Sequence, residues 1–131
     1  MKIASFKLGS AASYGVVTDG GIVDAGRRLK NFPTLKSLLA GGSLDDLRKM
    51  QSERVDHALM DVVLLPTVPD PDKIFCVGVN YATHLAESGH PTPQNPMIFT
   101  RFANSQVGSG QPMIRPPESE RFDYEGELAV I

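Results

Sequence analysis

Tryptophan is absent from these 131 residues and cysteine occurs once. The lone Cys76 cannot close an internal disulfide, and its place in the apolar run Ile74-Phe75-Cys76-Val77 reads as a buried, inert thiol rather than a nucleophile. No apolar run approaches the ~18 residues that cross a bilayer. The opening Met1-Lys2-Ile3-Ala4-Ser5-Phe6 also lacks the long apolar stretch of a secretory leader, so no membrane partner is expected and the cytoplasm is the expected location. Charge of one sign is missing too. Lys and Arg number 13 against 15 Asp and Glu, and the basic residues stand singly or in pairs such as Arg27-Arg28, so they form no stripe for nucleic acid. The glycine pairs 20–21 and 41–42 lack the spacing and the lysine of a phosphate loop, which excludes that mode of nucleotide binding. What remains is a globular composition, 41% hydrophobic and 21% charged, long enough for one core or two small ones.

The first part alternates short strands and turns. Strands are predicted at Lys2 to Leu8, Tyr14 to Thr18 and Ile22 to Ala25, with Asp19-Gly20-Gly21 supplying a tight hairpin. Thr34 is placed to cap a helix over Leu35 to Ala40 that Gly41-Gly42 ends. Ser43 with Asp46 resembles a capping box opening a second helix over Leu44 to Gln51. After a strand at Val62 to Leu65, Pro66, Pro69 and Pro71 fall within six residues. Proline fixes φ and donates no hydrogen bond, so this stretch marks a boundary. The organisation expected is α+β and β-rich: a small N-terminal meander and helix domain over 1–68, and a second unit over 69–131.

The second unit opens on a strand at Lys73 to Val79, apolar on both faces, then a polar helical turn from Ala82 to Ser88. A loop over 89–96 with prolines at 91, 93 and 96 is of the irregular kind that covers sites. Strands are predicted at Met97 to Arg101 and at Met113-Ile114, with a turn at Gly108-Ser109-Gly110. The last ten residues, Phe122 to Ile131, read as a buried strand bearing two carboxylates at spacing two. Such spacing puts Glu125 and Glu127 on one face, where they repel unless one is protonated or a hard cation, Mg²⁺, Mn²⁺ or Ca²⁺, sits between them. The alternative is a solvated edge. The strand stops at Ile131 without a turn signal, which leads to the expectation that the chain is the front part of a longer protein.

His84 and Glu87 stand three apart in the helical segment, where side chains are neighbours, and a carboxylate beside an imidazole makes it a useful general base. The plainer reading is a surface pair worth under ~1 kcal/mol. Arg101, at a strand end, is a candidate for an anionic substrate or an ion-pair partner. His57 and His90 carry no supporting context.

Three blocks then coincide with a known family. Ile74 to Glu87 (Ile-Phe-Cys-Val-Gly-Val-Asn-Tyr-Ala-Thr-His-Leu-Ala-Glu), Pro96-Met97-Ile98-Phe99, and Tyr124 to Ile131 (Tyr-Glu-Gly-Glu-Leu-Ala-Val-Ile) resemble the fumarylacetoacetate hydrolase family in order and spacing. The resemblance covers roughly residues 70 to 131, and implies the start of a mixed β-roll catalytic domain, a homodimer and a bound Mg²⁺ or Mn²⁺. It makes Glu125 and Glu127 two of the metal ligands and His84 with Glu87 the catalytic dyad that activates or positions water, and Tyr81 and Arg101 are the candidate substrate contacts. The activities it implies are C–C hydrolysis, decarboxylation, or a hydratase or isomerase step on a 2-oxo or 1,3-dioxo acid. The chain departs from the pattern in carrying Arg101 where a lysine is frequent, and the family's third metal carboxylate lies downstream of Ile131. The rival expectation is a catalytically incomplete chain, or a β-rich module that associates through its open strand.

Overall fold

The structure, a computed structural model, describes residues 1–122 and 127–131. Strands β1 (Lys2–Leu8), β2 (Ala11–Thr18), β3 (Gly21–Asp24) and β4 (Val63–Leu64) form one antiparallel sheet in the order β3-β2-β1-β4. Helices α1 (Ala25–Arg28), α2 (Leu35–Ala40) and α3 (Leu44–Lys49) follow β3. Tyr14 and Val16, two apart on β2, share a face, and they join Val23, Leu35, Leu38, Leu47 and Met50 in the core. Tyr14 is 1% exposed, and its hydroxyl donates to the Phe32 carbonyl at 2.9 Å. Burial first, and the nearby Asp24 carboxylate second, hold its pKa above the usual tyrosine value.

A carboxylate network pins the segment 53–58 over β3. Asp24, 2% exposed, accepts from Ser13 Oγ at 2.6 Å and from the Arg27 amide at 3.0 Å, and its second oxygen lies 3.2 Å from His57 Nε2. Asp56 accepts from the Asp24 amide at 2.7 Å and is clasped by the Arg28 guanidinium, which also meets Glu53 at 3.0 Å. Every carboxylate brought together here has a donor, as buried charge requires. The backbone closes the same contact: the Ile22 amide donates to the His57 carbonyl at 2.8 Å and the Asp56 amide to the Ile22 carbonyl at 2.9 Å. Gly21 makes that approach possible, because at its φ of +139° a Cβ would lie 2.3 Å from the His57 carbonyl oxygen.

Strands β5 (Ile74–Gly78) and β6 (Met97–Arg101) form a separate antiparallel pair, with α4 (Ala82–Ser88) between them in the chain. Contacts join this pair's flanks to the first sheet. Gln106 Nε2 donates to the Val68 carbonyl at 3.3 Å, and Gly108 sits so close to β4 that a Cβ would lie 1.9 Å from the Leu64 carbonyl oxygen. Lys36 on α2 bridges to Asp72 at 2.6 Å. The sequence leads one to expect burial of β5, yet Phe75 is 65% exposed and Ile98 beside it 59%. No helix among the described residues is long and apolar enough to cross a membrane.

Several expected elements differ. The third strand ends at Asp24 rather than Ala25, because the Asp24 side chain turns to cap the unforeseen α1. Thr34 and Ser37 form a reciprocal capping box, but Ser43 makes no side-chain cap: its φ and ψ of −93° and 31° are not the extended geometry a capping hydroxyl needs. Met113-Ile114 is not a strand. Of the expected final strand, residues 123–126 lie outside the described residues, and 127–131 are not strand, with Leu128 86% and Val130 93% exposed. A strand exists only where a neighbour takes its amides and carbonyls, and neither described sheet pairs with this segment. Cys76 is half-buried rather than buried.

The Arg28 hydrogen bond is the main cause that holds the Asp56 pKa below its ordinary value of 3.8. A carboxyl depressed on folding stabilises above its unfolded pKa, and that stability is lost as pH falls through the folded value. Acid unfolding followed by circular dichroism is therefore expected to draw on Asp56 below about pH 4, and Asp56→Asn to lower stability at neutral pH while flattening the acid limb.

Candidate functional site

The element that positions the site is the junction of β5 with α4. Gly78 ends the strand, and Val79 follows with φ of +53°, the only described non-glycine residue with positive φ. A β-branched side chain in that region is strained by roughly 1–3 kcal/mol, and such residues cluster where function fixes the backbone. Tyr81 stands at the N-cap of α4 in extended geometry without a side-chain cap, and Gly89 ends the helix in the left-handed region at φ +66°. The chain then folds back, so that Thr92 to Pro96 face the junction across an open cleft of about 350 Å³.

The cleft is lined from one side by Val79, Asn80, Tyr81 and Leu85, and from the other by residues of the proline-bearing loop, including Gln94 and Asn95. Among the described residues its polar groups are amides and hydroxyls, and no lysine or arginine lines it. Of the loop over 89–96, residues 92–96 thus line the cleft.

The residues singled out from sequence are only partly gathered. Tyr81 lines the cleft, and its hydroxyl accepts from the Leu128 amide at 3.2 Å, which ties the segment 127–131 to Tyr81, although none of these residues lines the cleft. Glu125 lies outside the described residues, so its placement on one face with Glu127 does too. His84 and Glu87 are both exposed on α4 and do not line the cleft, which takes Ala82 and Leu85 from that helix. Spacing of three permits a contact on a helix but does not enforce one when both groups can be solvated. Arg101 is turned away: its guanidinium donates to the Ser105 carbonyl at 2.6 Å and to Ser105 Oγ at 3.2 Å. Among the described residues no three His, Cys, Asp or Glu side chains form a group able to hold a metal ion. Glutamate is the right donor type for a hard divalent cation, but the described residues alone do not close such a centre.

Two features went unseen in the sequence. His57 is partnered by Asp24 and tilted against Phe6 with ring centroids 5.7 Å apart, a context that exists only once 53–58 folds onto β3. Val79 carried no signal beyond its place between Gly78 and Asn80.

The fold and the sequence both have counterparts. A crystal structure of a protein assigned as HpcE from Mycobacterium smegmatis superposes with a TM-score of 0.66 at 26% identity, over 86% of this chain and 40% of that one. The β-rich α+β architecture is therefore shared with that protein. Residues 73–131 match the family model for the fumarylacetoacetate (FAA) hydrolase C-terminal domain, and this portion of the chain is that of a fumarylacetoacetate hydrolase family member. It is 48% identical over 71 residues to bovine mitochondrial oxaloacetate tautomerase FAHD2A, covering 54% of this chain and 23% of the relative. The human FAHD2A enzyme is 45% identical over the same length, with the same coverage. A Dictyostelium discoideum homolog of fumarylacetoacetate hydrolase domain-containing protein 2 is 29% identical over 122 residues, 89% of this chain and 40% of its own length. The chain thus spans about a quarter of the mammalian relatives' length.

Strain at Val79 has a measurable signature. Replacing a half-buried valine in a regular strand by glycine loses packing and adds unfolded-state entropy, but at this backbone geometry relief of strain offsets both. Val79→Gly is expected to change urea-unfolding stability by less than about 0.5 kcal/mol; a loss above ~1.5 kcal/mol would show the backbone there to be unstrained.

Proposed function

We propose that this chain carries part of the active site of a divalent-metal-dependent enzyme that enolises a small 2-oxo or 1,3-dioxo acid. Keto–enol tautomerisation of an oxaloacetate-like substrate is the simplest such reaction, and C–C hydrolysis or decarboxylation are longer routes through the same enolate. The single observation that carries this reading is the Leu128–Tyr81 hydrogen bond, which ties a glutamate-bearing segment to a residue that lines a polar cleft in the part of the chain most similar to the oxaloacetate tautomerases.

Charge gives the physical argument. A dicarboxylic oxo acid brings two negative charges to a cleft lined by neutral amides and hydroxyls, while Arg101 is engaged with Ser105. Positive charge must come from elsewhere, and two glutamates at spacing two have the donor chemistry to hold Mg²⁺ or Mn²⁺, with waters or further ligands completing the shell. A cation held by Glu125 and Glu127 would supply polarisation of the substrate carbonyl. Asn80 and Gln94, which line the cleft, would orient the substrate carboxylates by hydrogen bonding. In tautomerisation a proton leaves the carbon beside the carbonyl and a proton is added at the carbonyl oxygen, with no net change in composition. His84 is the residue we assign to carry that proton, with Glu87 on the same helix face to orient the imidazole once substrate closes the site. The exposed apolar side chains of β5 and β6 fit a second copy of the protein in a homodimer.

In the intact protein His84→Ala is expected to lower the rate of oxaloacetate enolisation, followed by ultraviolet absorbance of the enol, by 10²-fold or more, with Mg²⁺ affinity retained in calorimetry. Glu125→Gln reverses the pattern and weakens Mg²⁺. Loss of Mg²⁺ binding in the histidine variant with an unchanged rate per bound metal would overturn the assignment.

A further inference from the structure

Tyr81 makes no side-chain cap for α4, although it occupies the N-cap. Its ring lines the cleft and its hydroxyl takes up a backbone amide 47 residues further along the chain. Leu128 belongs to no described strand, and its side chain is 86% exposed, so neither sheet pairing nor side-chain burial fixes where this segment lies. The backbone before Tyr81 is held in the strained geometry of Val79, and the backbone after it by the first turn of α4, where the Leu85 amide donates to the Tyr81 carbonyl at 3.0 Å. The backbone on both sides of Tyr81 is therefore held, and the amide its hydroxyl takes up belongs to a segment with few other constraints.

From this geometry we infer that Tyr81 is a positioning residue. It is a latch that ties the backbone of the acidic segment to the cleft-lining turn through Leu128, rather than a group whose hydroxyl binds substrate. The inference rests on the proposed function for what the latched glutamates do, but the latch itself does not. A hydroxyl that accepts from a backbone amide sets the distance between the segment and the cleft, and so sets where a cation held by Glu127 would stand relative to a ligand on Asn80.

Tyr81→Phe removes only the oxygen and keeps the ring. Amide hydrogen exchange of the whole chain reads the latch directly: exchange at Leu128 is expected to speed up about fivefold to tenfold in the variant, the worth of one such hydrogen bond, while amides of β1 and β2 are unchanged. Titration with Mg²⁺ alone reads its role in the site, with affinity expected to fall by a similar factor. Leu128→Pro, which removes the donor from the opposite side, is expected to weaken Mg²⁺ equally and to make Tyr81→Phe silent when the two are combined. Equal Leu128 exchange in the parent chain and the phenylalanine variant overturns the latch. Faster exchange with unaltered Mg²⁺ affinity overturns its role in the site. An intact parent protein that binds no Mg²⁺ defeats the proposed function and that role together, while the exchange result still decides the latch.

Discussion

A single hydrogen bond, from the Leu128 amide to the Tyr81 hydroxyl at 3.2 Å, joins the acidic end of the chain to the cleft at the β5–α4 junction. Neither described sheet pairs with 127–131. The hydrogen bond ties the segment that carries Glu127 to a residue that lines the cleft beside the strained Val79 turn. A bond of this kind is worth on the order of 1 kcal/mol net, enough to bias where a short segment lies but too little to fold it. The arrangement therefore depends on the rigidity of the Tyr81 side, which the Val79 geometry and the first turn of α4 supply.

The N-terminal sheet contributes a platform. Its core of Tyr14, Val16, Leu38 and Leu47 is fully formed, and its ionic network around Asp24 fixes the long return from α3 to β4. The downstream strands lean on it through the Gly108 contact at Leu64 and the Gln106 bond to Val68. By contrast β5 and β6 expose Phe75, Met97 and Ile98, an apolar surface of the kind that further protein covers.

How much of this could be read from the sequence follows from how local each determinant is. β1 and α2 were legible to the residue, because alternation, the Thr34 cap and the Gly41-Gly42 stop are encoded within a few positions. The β5–α4 unit and the loop facing it were legible for the same reason. The Ser43 cap failed because its backbone turns before α3 in a way no residue type announces. Of the expected final strand, the described residues 127–131 take no strand partner, and the need for one is something periodicity does not show. Of the residues that line the cleft, Tyr81 was named from the sequence, though the amide it holds was not. The pairing of His84 with Glu87 was inferred from a spacing that solvent exposure leaves unused, and the Arg101 side chain answers to Ser105, four residues on, instead of the cleft. His57 looked empty because its partner Asp24 is 33 residues away.

The central claim is that a divalent cation and the cleft share one location. Paramagnetic broadening of amide resonances by substoichiometric Mn²⁺ tests it directly. The account predicts that resonances of Val77 to Ala82 and of Glu127 to Ile131 broaden together, ahead of those of β1 and β2. Broadening of the 127–131 amides without those of the β5–α4 junction, or first broadening around Asp24 and Asp56, would contradict it.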